Sequence, residues 1–141
     1  MTETAAPPVL DASALLAYLG DESGAELVAD QIAAGTTIST VNLAEALSTL
    51  AARGQDPADV ASELTARGLL DGAITVEPFT TADAIEAARL RPLTRPAGLS
   101  LADRACLALA RRLATPVLTS DHAWTSLALD VDVRPIRNAG Q

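Results

Sequence analysis

The sequence predicts an α/β fold with three layers, α/β/α, in which a central parallel sheet lies between helices. Short β-branched and aliphatic runs alternate along the chain with longer segments of helical periodicity, and strands separated by helices pair in parallel. Hydrophobic residues make up 49% of the chain and aromatic residues only 2%, so we expect an aliphatic core. The length of 141 residues predicts a single domain over 1–141, with its core at about 7–136.

The first half of the chain contains two predicted strands and four predicted helices. The strands have short aliphatic or β-branched sequences, PPVL and TTIS. Glycines end three of the helices, at Gly35, Gly54 and Gly68, and Pro57 occupies a first-turn position where its missing N–H is not needed. The strands are 7–10 and 36–39, and the helices are 13–19, 25–35, 41–54 and 57–68.

The second half contains three predicted strands and three predicted helices. Residues 91–98, RPLTRPAG, are predicted to be a loop, because two prolines and a glycine interrupt the helical pattern. The strands are 74–78, 116–120 and 131–136, and the helices are 81–90, 100–113 and 122–129. In layered parallel folds ligands bind beyond the carboxyl ends of the strands, so side chains at those ends are candidates for a site.

The net charge is −8, and all ten basic residues are arginines. An acidic chain argues against non-specific DNA binding, yet residues 89–112 hold six of the arginines and Asp103 as their only acid. This locally basic segment is explained equally well by phosphate contacts or by solvated faces and helix C-termini. The six are Arg89, Arg91, Arg95, Arg104, Arg111 and Arg112.

Two acids follow predicted strands. Asp11 comes directly after VL, and Asp121 comes directly after VLTS. Both positions lie where a parallel sheet presents a ligand site. The alternative is that each acid is a helix N-cap, a position at which Asp is favoured.

Two further candidate acids lie on predicted helices. Glu45 is opposite the leucine stripe of its helix, beside Asn42 and Thr49, and a solvated face is the alternative for this trio. Asp103 lies in line with the apolar residues of its helix, whose exposed side is marked by Arg104, Arg111 and Arg112. A buried carboxylate is costly unless it is paired, protonated or bound to metal. A capping box between Ser100 and Asp103 is the alternative.

The four acids together predict a metal site. Converging carboxylates with no lysine nearby would repel one another and raise their own pKa values, whereas a divalent cation would neutralise them. Mg²⁺ or Mn²⁺ prefers such oxygen ligands, and the lack of cysteine or histidine partners disfavours zinc. Asp11, Glu45, Asp103 and Asp121 are therefore the candidate ligands.

Four segments in this order and spacing resemble the PIN domain, and more narrowly the VapC-type toxins of bacterial toxin–antitoxin pairs. The segments are VLDASALLAYL (9–19), VNLAEAL (41–47), GLSLADRACLALA (98–110) and VLTSDHAW (117–124). The resemblance covers about residues 7–136 and implies a PIN-like fold with an acidic site. It implies that Asp11, Asp103 and Asp121 bind metal directly and that Glu45 binds it through water or orients the nucleophile.

The resemblance also implies supporting residues and an activity. Thr119, two residues before the last acid, matches a supporting hydroxyl, with Ser120 as a second possibility, and Ser13 is either a supporting hydroxyl or a helix cap. The implied activity is Mg²⁺- or Mn²⁺-dependent endoribonuclease cleavage of RNA by an activated water, leaving a 5′-phosphate and a 3′-hydroxyl. Arg91 and Arg95 would contact RNA phosphates.

The implied partners are an RNA substrate, a small antitoxin protein that covers the acidic site, and a second copy in a homodimer. We expect a cytoplasmic protein, because the single cysteine, Cys106, excludes an internal disulfide and no signal peptide or membrane span is predicted. Two alternatives stay open: a PIN-type nuclease of RNA processing without a toxin role, and a catalytically silent binding module whose acids are caps.

Overall fold

A computed structural model of the protein describes residues 6–138 and contains one five-stranded parallel sheet. The strand order is β3-β2-β1-β4-β5. Every predicted strand is present, and the parallel pairing confirms the predicted fold class. The strands are β1 Val9–Leu10, β2 Thr36–Ser39, β3 Ile74–Glu77, β4 Val117–Thr119 and β5 Val133–Pro135.

Within residues 6–138, six α-helices connect the strands, and one 3₁₀ turn follows α5 while another follows β4. The helices are α1 Ala12–Leu19, α2 Ala25–Ala34, α3 Thr40–Ala52, α4 Pro57–Ala66, α5 Thr81–Thr94 and α6 Leu101–Leu113. The 3₁₀ turns are Arg95–Ala97 and His122–Ser126. Across residues 6–138, none of the helices has the length and apolar character needed to cross a membrane.

Helices cover both faces of the sheet, as the predicted three-layer arrangement requires. The two residues of β1 are both fully buried and point to opposite faces, as alternation along a strand dictates. Leu10 packs in a cluster with residues of α1 and α2, whereas Val9 packs with α6 and Trp124. The two hydrophobic clusters therefore place the carboxyl end of β1 at the centre of the molecule.

The predicted loop at 91–98 is wrong, because α5 continues through Pro92 to Thr94 and a 3₁₀ turn follows it. A proline leaves the carbonyl four residues earlier without its donor. That carbonyl belongs to Ala88, an exposed residue, so water can satisfy it. Leu90 and Thr94 are buried, and the Thr94 hydroxyl donates to the Leu90 carbonyl at 2.8 Å, which favours the continued helix.

The predicted exposed side of α6 is wrong at one position. Arg104 is only 8% exposed, and its Nη1 donates to the Ala87 carbonyl at 2.8 Å. Because α5 packs against α6 on this side, the arginine spans the two helices instead of facing solvent. Arg111 and Arg112 are exposed, as predicted.

The C-terminal elements are shorter than predicted. The helix expected at 122–129 is a 3₁₀ turn that ends at Ser126, and the strand expected at 131–136 is Val133–Pro135. The turn buries Trp124 beneath it. This short turn, with Asp121 at its start, follows β4 and leads toward β5.

Candidate active site

Asp11 lies at the carboxyl end of β1, where it caps α1. It is 4% exposed, and its Oδ1 accepts hydrogen bonds from Ala14 N at 2.8 Å and from Ser13 Oγ at 2.7 Å. Its Oδ2 accepts one from Thr119 Oγ1 at 2.5 Å, which joins the ends of the neighbouring strands β1 and β4. Asp11 is therefore both the N-cap of α1 and an acid at the carboxyl end of a strand, so the two interpretations of this residue agree.

The Asp11 carboxylate is buried without a counter-charge. Burial, with a smaller contribution from the charge of Asp103, raises its pKa to about 6 against the lowering effect of the hydrogen bonds from Ser13, Thr119 and Ala14. Within residues 6–138 no arginine forms an ion pair with it. A buried acid with hydrogen-bond donors but no cation nearby is an electrostatically favourable place for a metal ion.

The supporting residues continue this network. Ser13 Oγ donates to Asp11 and accepts from Ser120 N at 2.9 Å. Thr119 Oγ1 donates to Asp11 and accepts from Asp121 N at 3.0 Å. Ser13 and Thr119 therefore hold Asp11 with their hydroxyls, whereas Ser120 contributes its backbone N–H.

Asp103 is half-buried in the first turn of α6 and forms the capping box that was the alternative explanation for it. Its Oδ2 accepts from Ser100 N at 3.0 Å, and Ser100 Oγ accepts from Asp103 N at 3.1 Å. Its charge nevertheless contributes to the raised pKa values of Asp11 and Glu45. Asp103 is thus a helix cap whose charge also acts on Asp11 and Glu45, and we call these three candidate acids the acidic cluster.

Glu45 is contributed by α3 and is half-buried, not fully solvated. Its pKa is raised by burial and then by the charge of Asp103. Burial, and then the charges of Asp11, Asp103 and Glu45, also raise the pKa of the Cys106 thiol. These acids come from the N-cap of α1, from α3 and from the first turn of α6. Their charges act on the same buried thiol, that of Cys106.

Asn42 overturns the solvated-face alternative for its helix side and is the residue that the sequence argument missed. It is fully buried, and its Nδ2 donates to the Ala102 carbonyl at 3.0 Å, one residue before Asp103. Its buried Oδ1 has no hydrogen-bond donor within residues 6–138. The spacing of Asn42 with Ala46 and Leu50, both buried, was the signal for this second buried side.

Asp121 follows β4, the strand that lies next to β1 in the sheet. It is exposed and starts the 3₁₀ turn, where its Oδ1 accepts from Ala123 N at 3.0 Å. Its backbone N–H donates to Thr119 Oγ1, which itself donates to Asp11, so one hydroxyl connects the two strand-end acids. The convergence of the four acids on one metal site stays a prediction.

The candidate ligand atoms are oxygens, which suit a hard divalent cation, although the carboxylates are not arranged around one ion position. Among residues 6–138, no group of three or more His, Cys, Asp or Glu side chains is arranged to hold a metal ion. The capping contacts of Asp11 and Asp103 hold oxygens that an ion would need. The donors are nevertheless oxygen atoms, and the orphaned Asn42 Oδ1 lies where α3 meets α6.

The structure separates the six arginines of 89–112 into two groups. Four are held by partners: Arg104 by the Ala87 carbonyl, Arg89 and Arg111 by Glu86, and Arg112 by Asp83. Arg91 and Arg95 are exposed, and their side chains make no hydrogen bond or ion pair with any other described residue. Structural roles therefore explain four arginines, and the two predicted to contact RNA are the two that remain available.

Comparison with known proteins gives one family and a consistent fold. The family model of the PIN domain matches residues 9–129. No curated protein matches the sequence significantly.

Solved structures similar to this chain include a toxin–antitoxin complex from Klebsiella pneumoniae, with 15% identity, a TM-score of 0.69, and coverage of 93% of this chain and 98% of that chain. FitAcB from Neisseria gonorrhoeae has 21% identity, a TM-score of 0.67 and coverage of 91% and 96%. VapC20 from Mycobacterium tuberculosis, described as a sarcin–ricin loop cleaving toxin, has 18% identity, a TM-score of 0.64 and coverage of 90% and 98%. At these identities the likeness shows the fold.

Proposed function

The chain belongs to the PIN domain family, and on that premise we propose that it is a metal-dependent endoribonuclease and the toxin of a toxin–antitoxin pair. The observation that carries the proposal is Asp11, a buried carboxylate held by three donors at the carboxyl edge of the sheet, with no counter-charge and with Asp103 acting on it. The similarity in fold to VapC20, named as a toxin that cleaves the sarcin–ricin loop, supports RNA as the substrate class.

Asp11, Asp103 and Asp121 are the proposed direct ligands of Mg²⁺ or Mn²⁺, with Glu45 acting through water. When bound, the ion lowers the pKa of a water ligand and withdraws charge from the scissile phosphate. Ser13 and Thr119 fix the orientation of the Asp11 carboxylate, so that its oxygens need little reorganisation.

We propose cleavage that leaves a 5′-phosphate and a 3′-hydroxyl. A cyclic-phosphate mechanism uses a pair of general acid and base groups on the ribose 2′-hydroxyl, commonly histidines. The sequence has one histidine, His122, which is exposed in the 3₁₀ turn. Hydrolysis by water at the acidic cluster agrees with this set of residues.

The proposed protein partners are an antitoxin that covers the acidic site and a second copy in a homodimer. Large hydrophobic side chains at 85–101 support such contacts, since Ile85, Leu93 and Leu101 are 52%, 58% and 57% exposed. Exposed apolar groups of this kind mark surfaces that bind proteins. A similar structure is named as a toxin–antitoxin complex.

A cleavage assay tests the nuclease. We expect the purified chain to cut end-labelled RNA with Mg²⁺ or Mn²⁺ and not with EDTA. Asp11→Asn and Asp103→Asn should each lower the rate about a hundredfold or more, because each removes a charged ligand. Asp56→Asn is the matched control: Asp56 caps α4 from an exposed position, and Asn caps a helix equally well. Full activity in both variants, or cleavage in EDTA, would overturn the proposal.

The capping contacts of Asp11, Asp103 and Asp121 favour a second candidate, a catalytically silent binding module. It predicts that no RNA is cut in any metal and that the four acids affect only helix stability. The toxin role has a separate test, because a nuclease of RNA processing would cut RNA without harming the cell. Growth arrest on expression of the wild-type chain, absent with Asp103→Asn, supports the toxin and contradicts the processing role.

A further inference from the structure

A cavity of about 320 Å³ lies where the end of α5 meets the first turn of α6. Three of its lining residues are arginines, Arg91, Arg95 and Arg104, and the rest belong to 98–101. No acidic residue lines it. We call it the arginine cavity. In a chain with a net charge of −8, three arginines around one opening form a local site of the opposite sign.

Arg104 gives the strongest indication that the arginine cavity binds a ligand. The side chain is more than nine-tenths buried, and its only hydrogen bond within residues 6–138 is from Nη1 to the Ala87 carbonyl. Its Nε is buried without an acceptor, and no carboxylate of the described chain forms an ion pair with it. A buried guanidinium is costly without an anion, so an anion in the cavity would stabilise this arrangement.

The start of α6 adds donors to the same opening. Ser100 and Leu101 line the cavity, and α6 is a helix of 13 residues. The N–H groups of Leu101 and Ala102 have no carbonyl partner within the helix, as the geometry of any α-helix N-terminus requires. Asp103 occupies only the Ser100 N–H. Backbone donors, the helix dipole and guanidinium groups together suit a phosphate better than any other common anion.

We propose that the arginine cavity binds a backbone phosphate of the RNA strand, next to the phosphate that is cleaved. This inference rests on the proposed function, because it makes the cavity a subsite of the same RNA-binding surface. Ser100 lines the cavity and also holds Asp103, so the cavity and the acidic cluster share the first turn of α6. An RNA strand carries a phosphate at every nucleotide and can therefore occupy both places at once.

The first test uses inorganic phosphate and needs no RNA. ¹⁵N–¹H NMR spectra of the full chain in EDTA are recorded during a phosphate titration at constant ionic strength. We expect saturable shifts of the side-chain N–H signals of Arg91, Arg95 and Arg104 and of the Leu101 and Ala102 amides.

The double variant Arg91→Gln/Arg95→Gln should abolish this saturation and still fold, since both side chains are exposed and unpaired. Arg67→Gln/Arg89→Gln removes the same charge from exposed positions outside the cavity and should bind phosphate as the wild type does. The site is overturned if the wild type shows no saturation, or if both double variants lose phosphate binding equally. It is also overturned if every variant binds phosphate weakly and equally, because the occupant is then an adventitious ion only.

The second test identifies the source of the phosphate. Binding of a labelled single-stranded RNA is measured in EDTA across a range of salt concentrations. Loss of one phosphate contact should make the slope of log K against log salt shallower by about 0.7 in Arg91→Gln/Arg95→Gln. The slope of Arg67→Gln/Arg89→Gln should match the wild type. If a six-residue oligoglutamate displaces phosphate while the RNA slope is unchanged, the occupant is an acidic protein segment and the RNA assignment is wrong.

The same preparations separate this inference from the proposed function. If the wild type cuts RNA in Mg²⁺ but phosphate binding and the salt slope are the same in Arg91→Gln/Arg95→Gln, the arginine cavity is not a subsite and the nuclease stands. If no preparation cuts RNA while the arginine-dependent slope is present, the nuclease fails and RNA binding at the cavity stands.

Discussion

Asp11 shows how much one buried residue can carry. Its carboxylate caps α1, ties β1 to β4 through Thr119 and faces the charge of Asp103. Because its folded pKa, about 6, is above the ordinary value of 3.8, the folded state holds this proton more tightly than the unfolded chain. The contribution of Asp11 to stability is therefore greatest below about pH 4 and decreases as the pH rises through 6.

We expect Asp11→Asn to be more stable than the wild type at pH 7 in EDTA, by up to about 3 kcal/mol, because the neutral amide keeps a cap and removes a buried charge. The difference should vanish near pH 4, where the wild-type carboxyl is protonated. Urea unfolding at both pH values measures it, and Asp56→Asn should change little at either. A variant less stable than the wild type at pH 7 would contradict the electrostatic account of this site.

Between elements, the contact of α3 with α6 sets the relation between Glu45 and Asp103. Asn42 makes the only side-chain hydrogen bond between these two helices in residues 6–138. We expect Asn42→Ala to lower the free energy of unfolding by about 1–3 kcal/mol, since the substitution removes a buried hydrogen bond and leaves a cavity. Ser48→Ala on the exposed side of α3 is the control, with an effect within about 0.5 kcal/mol in urea unfolding. Equal effects of the two substitutions would mean that Asn42 does not join the helices.

The contact of α5 with α6 rests on a second polar link. Arg112 donates to both oxygens of the buried Asp83, at 2.8 and 3.1 Å. Burial alone would raise the pKa of Asp83, but hydrogen bonds from Arg112 and Thr80 and the charge of Arg112 outweigh it, so the pKa is lowered. This pair therefore stabilises the fold at neutral pH, and its contribution decreases as the pH falls below about 4.

Arg112→Gln should cost about 2 kcal/mol at pH 7, because it leaves a buried carboxylate without its bidentate partner. The cost should shrink in acid, where Asp83 is protonated. Urea unfolding at pH 7 and pH 3 measures both values. Arg89→Gln breaks a 3.7 Å pair whose arginine is mostly exposed, and should change stability by less than about 0.5 kcal/mol. An acid-independent cost for Arg112→Gln would assign the effect to packing alone.

For the whole molecule, we expect folding and metal binding to be coupled at the proposed metal site. A ligand that binds only the folded chain raises its stability by mass action, by about 2.7 kcal/mol at a hundred times its Kd. For a domain of this size we expect millimolar Mg²⁺ or Mn²⁺ to raise the Tm above its value in EDTA by roughly 5 °C. Asp103→Asn should lose the shift and Asp56→Asn should keep it. A shift that survives in Asp103→Asn would place the metal elsewhere.

Much of the fold and of the site was predictable because it depends on local pattern. The local sequence pattern located all five described strands and all six described α-helices, although not the end of α5, and parallel pairing then placed Asp11 at the carboxyl end of β1. The capping alternatives for Asp11, Asp103 and Asp121 were also predictable, since a cap involves only residues three or fewer positions apart. Position along a strand or in a first turn is information that the sequence carries by itself.

The tertiary structure decided what depends on packing between elements. Periodicity separates an apolar side of a helix from a polar one but does not say which polar residues meet another helix. That is why the sequence placed Arg104 on an exposed side and left a solvated face open for Asn42, whereas both are buried at the contacts of α6 with α5 and α3. The sequence by itself determined the layers and the candidate acids, and the packing of α3, α5 and α6 decided which of those side chains meet.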